Sequence, residues 1–287
     1  DSRPACTSFV RDLGQIAGGE IILPPPEYLD NYNTPANRQA LRSWLKDAVR
    51  DADAAIISGD MLIHGSLVSS RLALGTESDL GEVQKLLQDI HAEFPRLKLY
   101  VFNIIPRLLV AADNDEYNKY QKKMLTYSTL KDKINIFENP VDIKQLAELE
   151  QSLPPAIITR YKNLYKQNLN INLQLMHLVE AGIVSDLIIG QDDGQPFGMP
   201  NINRAELQNY LDTHPQLTGK INITRGTDEV ALTILGRILL QQTNFRPKIF
   251  VTYSYPASAQ IVMPYMPNSV ARTIQEKIGL INGQPVD

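Results

Sequence analysis

A chain of 287 residues, 43% hydrophobic and 21% charged, has the composition of an ordinary soluble globular protein, neither collagen-like nor low in complexity. A formal charge of -4 argues against a broad basic surface for nucleic acid. The lone cysteine, Cys6, excludes an intrachain disulfide framework and a cysteine-rich zinc site.

The first residues, Asp1-Ser2-Arg3-Pro4, have the charge and the proline of a segment leaving a strand. A strand is therefore expected upstream, and another beyond residues 279–287, where the chain leaves a helical stretch. The expectation is one α/β domain over 1–287, incomplete at both ends and part of a longer protein. A removed export signal would not be visible, and one cysteine suits either redox compartment, so cytoplasm and export both stand open.

Short apolar runs follow at 20–23, Ala54–Ser58, 98–103, 186–190, 220–224 and 248–253. Apolar nearly throughout, they read as strands buried on both faces of a parallel sheet. All are far too short to span a membrane. Amphipathic stretches separate them. Residues 37–52 carry Leu41, Trp44, Leu45 and Val49 at helical spacing, 80–94 repeat the stripe with Val83, Leu86, Leu87 and Ile90, and 230–241 follow an acidic pair. Pro24-Pro25-Pro26 reads as a rigid loop.

Between about 112 and 182 the alternation gives way to a helical insertion, with one long helix over 161–182. Its Asn and Gln residues (Gln167, Asn168, Asn170, Asn172, Gln174) suggest a polar, lightly charged exposed face. The visible strands, with one inferred at each end, point first to a (β/α)8-type barrel. An open doubly wound sheet is the alternative.

In a parallel sheet the residues after each strand converge on one edge, where α/β folds hold their ligands. Asp1 and Arg3 follow the inferred first strand; Asp60 and Arg71 follow Ala54–Ser58; Asn103 and Arg107 follow the next run. Gln195 and Tyr253 come after later ones, and all eight are candidate substrate-binding residues. His64 fits a structural histidine better than a base.

Asp192-Asp193 is the sharpest pair. Adjacent carboxylates repel, which keeps a proton on one and supplies an acid beside a base. An Asx turn is the plain alternative. In Gly226-Thr227-Asp228-Glu229, Thr227 or Asp228 would cap a helix while one acid turns into the cleft. Asp192, Asp193, Asp228 and Glu229 are thus the catalytic candidates. Asp60, Asp192 and Asp228 would hold a divalent cation if one were needed, and no other cofactor is expected. The four histidines lack HExxH spacing, and no GxGxxG, GxxxxGK[ST] or GxSxG motif is present.

Several of these stretches recur together: Asp1-Ser-Arg-Pro4, Ile22-Leu-Pro-Pro-Pro26, and Ser58-Gly-Asp-Met-Leu62 running to Ser69-Ser-Arg71. Asp192-Asp-Gly-Gln-Pro196 with Gly198, and Gly226-Thr-Asp-Glu229, complete the pattern. In their order and spacing the chain resembles the bacterial family called domain of unknown function 4127. It has His64-Gly65-Ser66 where such members typically carry a Tyr-Gly-Gly-like turn, and members are usually longer at the carboxyl end. The resemblance implies a bacterial protein and brings no catalytic assignments.

The leading expectation is a carbohydrate-active, glycosidase-like hydrolase acting on a small-molecule or oligosaccharide ligand. Asp193 would be its general acid, with Asp192 the nucleophile or the group orienting a substrate acetamido. The alternatives are a divalent-metal-dependent hydrolase or lyase and a non-catalytic small-molecule-binding domain.

Overall fold

Caps and apolar spacing account for the first half of the chain. Helix α1 (Ser8–Ile16) buries Val10. Helix α2 (Arg38–Ala48) starts at Asn37, whose side-chain oxygen accepts the Ala40 N–H, and buries Leu41 and Leu45. Strand β1 (Ala54–Ser58) leads directly into α3 (Gly59–His64), capped by the Ser58 hydroxyl, and Ser66 caps α4 (Leu67–Ser70). Helix α5 (Glu77–Glu93) opens on a reciprocal Thr76–Asp79 capping box and buries Leu80, Val83, Leu87 and Ile90. Strand β2 (Lys98–Ile105) is buried from Leu99 onward.

The computed structural model describes residues 1–72, 75–108, 115–192, 194–264 and 266–286. Helices α6 (Asp115–Phe137), α7 (Pro140–Gln151) and α8 (Pro155–Glu180) follow β2. Met124, Tyr127, Leu146 and Tyr161 pack into a core of their own, while Ile171, Leu175 and Val179 in the second half of α8 pack on the sheet. Strand β3 (Asp186–Gln191), helix α9 (Met199–Asp212), strand β4 (Ile221–Arg225) and helix α10 (Val230–Thr243) resume the alternation. Strand β5 (Lys248–Phe250), helix α11 (Val270–Leu280) and strand β6 (Gln284–Val286) follow.

Four parallel strands form one sheet in the order β1-β2-β3-β4, with Ile56 opposite Tyr100, Phe102 opposite Ile188 and Ile189 opposite Ile223. Side chains alternate between its faces. Leu99, Val101 and Ile105 enter a core with α2, α5, α8 and α9; Tyr100, Phe102 and Ile104 enter another with Val10 of α1 and Ile234 and Leu235 of α10. Helices therefore cover both faces of this parallel sheet. The described strands do not close into a barrel.

Three expectations need correction. Residues 20–23 form no strand: they share no backbone hydrogen bond with β1, and the three prolines that follow offer no amide donor. The last run shortens to β5, which pairs with β6 in a separate two-stranded sheet. Asn168 and Asn172 are buried, not displayed on a polar face. The end of β2 passes beneath α8, and its carbonyls need donors there. Asn168 supplies one to Ile104 (2.7 Å), while Asn103 donates to Asn172 (3.0 Å) and Asn172 to the Asn168 carbonyl (3.0 Å).

His64 is buried, and its Nδ1 accepts the Gly75 N–H at 2.8 Å. Burial, with help from Arg38, holds its imidazole down at about 4 against an ordinary 6.5. The folded protein refuses a proton that the unfolded chain accepts, so this contribution to stability is full above pH 6.5 and is lost as pH falls through 4. The loss approaches roughly 3 kcal/mol. Urea unfolding of wild type and His64→Gln at pH 7 and pH 4.5 tests this. The variant should lose less stability on acidification, and equal losses in both proteins would refute it.

Candidate functional site

Two acids approach the carboxyl end of β2 from opposite sides. Asp60, in the first turn of α3, accepts the Ile104 N–H at Oδ2 (2.9 Å). Asp192, just past β3, donates its N–H to the Ile105 carbonyl (3.0 Å). Arg71, which follows α4, is ion-paired with Asp192 rather than with its nearer sequence neighbour Asp60, at 2.5 Å. Arg107 approaches the same carboxylate oxygen at 3.8 Å. The Arg71 and Asp192 side chains are only 12% and 14% exposed, so little solvent screens their attraction.

Asp60 is buried, and its Oδ1 has no partner. Burial pushes its carboxyl from 3.8 up to about 7. The Ile104 N–H, the Ser70 hydroxyl and Arg71 oppose that shift and are outweighed. At neutral pH a proton-holding carboxyl thus lies near a carboxylate gripped by guanidinium. Asn103 lies beneath: its amide nitrogen donates to Asn172, while its buried Oδ1 has no partner. Gly59 makes room for it: a Cβ there would sit 2.7 Å from Asn103 Oδ1.

A second group collects after β4. Gly226, at φ +97°, turns the chain while its N–H reaches the Gln191 carbonyl (3.0 Å); a side chain there would strike the Glu229 carboxylate. Neither Thr227 nor Asp228 caps α10. Glu229 occupies the N-cap position without a side-chain cap bond, and the Thr227 hydroxyl donates to Asp228 (3.1 Å). Asp228 pairs with Arg3 (2.9 Å), which also holds Asp1 (2.7 Å). Glu229 is ion-paired with Lys277 of α11, which donates to the Arg225 carbonyl as well. The Arg3 and Asp228 side chains are 46% and 56% exposed, so solvent screens the pair and it adds little stability.

The loop after β3 is tied to the insertion. Asp132 accepts the Gly198 N–H and Ser128 the Met199 N–H, each at 2.8 Å, while the Gln195 carbonyl accepts from Asn201 (2.9 Å). The Tyr165 hydroxyl donates to the Arg107 carbonyl (2.8 Å), so α8 also steadies the loop after β2. Tyr253 lies beyond β5 in the small sheet and forms no hydrogen bond with this cluster among the described residues. Asp193 lies outside the described residues.

The structure thus gathers Asp60, Arg71, Arg107 and Asp192 around β2, and Asp1, Arg3, Asp228 and Glu229 beside β4. Nothing local singles out Lys277, which arrives from a distant helix. Asn168 and Asn172 did carry a signal, because they interrupt the buried stripe of Ile171, Leu175 and Val179 at helical spacing. Among the described residues no three His, Cys, Asp or Glu side chains are placed to hold a metal ion. Asp60 is turned to the backbone, Asp192 to Arg71 and Asp228 to Arg3. Among the same residues no helix is long and apolar enough to cross a membrane.

Fold and site together define a parallel α/β protein with acids and arginines clustered at the carboxyl ends of its strands. The chain belongs to the family described as protein of unknown function (DUF4127), which matches residues 1–287. No curated protein and no solved structure matches it.

Proposed function

We propose that the chain is a hydrolase of glycosidic bonds, working at the carboxyl edge of an open, doubly wound sheet. The observation that carries this reading is the contrast between two carboxyls around one strand end. Asp60 keeps a proton to about pH 7, while Asp192 is held in an ion pair by Arg71. Glycoside hydrolysis needs a charged carboxylate beside the scissile bond and surroundings in which a carboxyl can keep its proton at neutral pH.

In this reading Asp192 is the charged group beside the scissile bond, as nucleophile or as the group orienting a substrate acetamido. Asp193, its neighbour in the chain, is the general acid. Asp60 is a positioning residue whose protonation sets the charge around Arg71 and Asp192. Arg3 and Arg107 meet sugar hydroxyls from the rim. The metal-dependent alternative has less support, because each of its three acids has a separate partner.

A panel of chromogenic glycosides, assayed with and without EDTA, tests the proposal. Turnover should be indifferent to EDTA and fall by about 100-fold in kcat in Asp192→Asn and in Asp193→Asn. Asp60→Asn should remove the limb of the pH–rate profile near 7. Ligand binding without turnover, or turnover undiminished in Asp192→Asn, would overturn the reading.

A further inference from the structure

The strand layer of this fold has a gap. Residues 19–24 and strand β1 face each other across a groove of about 610 Å³. Helix α2 closes it on one side through Leu41, Trp44 and Leu45, and α10 on the other through Leu235 and Ile238. Strand β1 is an edge strand, and no backbone hydrogen bond joins it to residues 20–24. Peptide groups therefore stand along both walls without a ladder between them. An apolar small molecule would leave them unpaired, whereas an extended chain carries backbone donors and acceptors along both of its edges. A second copy of the protein cannot bring its own sheet edge in, because residues 19–24 wall off the far side.

The helices say where that chain comes from. Helices α5, α8 and α9 connect β1, β2, β3 and β4 in successive steps in one direction, all on the face that carries α2. Helix α2 joins residues 20–23 to β1 on that same face, so it steps the same way. Helix α1 lies on the opposite face, where Val10 packs with α10. Crossovers between parallel strands are right-handed in about 98% of cases, so a helix on the opposite face belongs to a step in the opposite direction. A strand feeding α1 would therefore lie on the β1 side of residues 20–23, within the groove. Asp1 lines that groove, and the Ser2 N–H is anchored to Asp30 at 2.7 Å.

We propose that the groove seats the central strand of a doubly wound sheet, formed by extended apolar polypeptide covalently continuous with Asp1. The order becomes residues 20–23, the new strand, then β1 to β4, and the winding reverses between the new strand and β1. Doubly wound sheets bind ligands outside the carboxyl ends of their strands at that reversal. Asp1 and Arg3 then form one lip of the binding crevice and Asp60 the other. The proposal rests on the doubly wound reading and uses nothing from the glycoside chemistry.

The test compares chain 1–287 with the same chain carrying a segment of about six alternating Val and Ile residues ahead of Asp1. A Gly-Ser extension of equal length is the control. Amide exchange at residues 54–58 and 20–23 should slow by about 100-fold in the apolar extension alone, at concentrations where it is monomeric by sedimentation. Unchanged exchange at both edges overturns the proposal. Protection that appears only with dimerisation overturns it too, since another copy then supplies the strand. Glycoside turnover is a separate readout, so its failure leaves this result standing.

Discussion

Asp60→Asn is expected to stabilise the protein at pH 8 by up to about 4 kcal/mol and to leave its stability at pH 4 nearly unchanged. The carboxyl of Asp60 sits at 3.8 in the unfolded chain and about 7 in the fold, with burial the main cause. Its contribution is fully present below pH 3.8 and is lost as pH rises through 7. Above that, the buried group is charged against its surroundings. Asparagine never ionises, yet its side-chain oxygen still accepts the Ile104 N–H that Asp60 Oδ2 accepts at 2.9 Å. The amide nitrogen would lie where Oδ1 now has no partner, which offsets part of the gain. Guanidinium unfolding of both proteins at pH 4 and pH 8 measures the effect. A gain at pH 8 together with loss of the rate limb near 7 would mark Asp60 as a group kept for function at the expense of stability. Equal stabilities at pH 8 would mean that the folded protein carries no ionisation penalty there.

What was legible in the sequence was local. The runs that became β1 to β4 are continuous apolar stretches, and their flanking helices show periodic stripes and ordinary caps, so type and place could be read within a few residues. Residues 20–23 carry the same local pattern and are not a strand, because a strand exists only where a partner edge pairs with it. The site was legible in the same partial way. The rule that ligand groups follow parallel strands found Asp60, Arg71, Arg107 and Asp192, but not which would meet. Arg71 is 121 residues from Asp192 and lies much nearer in sequence to Asp60, yet the fold pairs it with the former. Thr227 and Asp228 looked like caps because their residue types suit that role; the turn at Gly226 instead sends Asp228 to Arg3 and Glu229 to Lys277.

Arg71→Met is expected to destabilise the protein by about 3 kcal/mol, and Asp192→Asn by a similar amount. Each change leaves one little-solvated charge without its partner, since the two side chains are 12% and 14% exposed. Arg107, at 3.8 Å and more exposed, cannot replace the 2.5 Å contact. The double variant should be more stable than the sum of the single losses predicts, by about 2 kcal/mol, because no unpaired charge remains. Urea unfolding of the four proteins closes this cycle; simple additivity would show that the pair carries no coupling. Coupling matters beyond stability. The pair ties the segment after α4, which leads away from β1, to the loop after β3, bridging over the end of β2. A ligand that displaces Arg71 from Asp192 would have to replace that attraction, whereas one that binds with the pair intact meets a preformed surface. Ligand affinity in Arg71→Lys separates these cases. The lysine keeps the charge and loses the planar fork, so affinity should hold if only charge is felt and fall if the ligand relies on the fixed geometry.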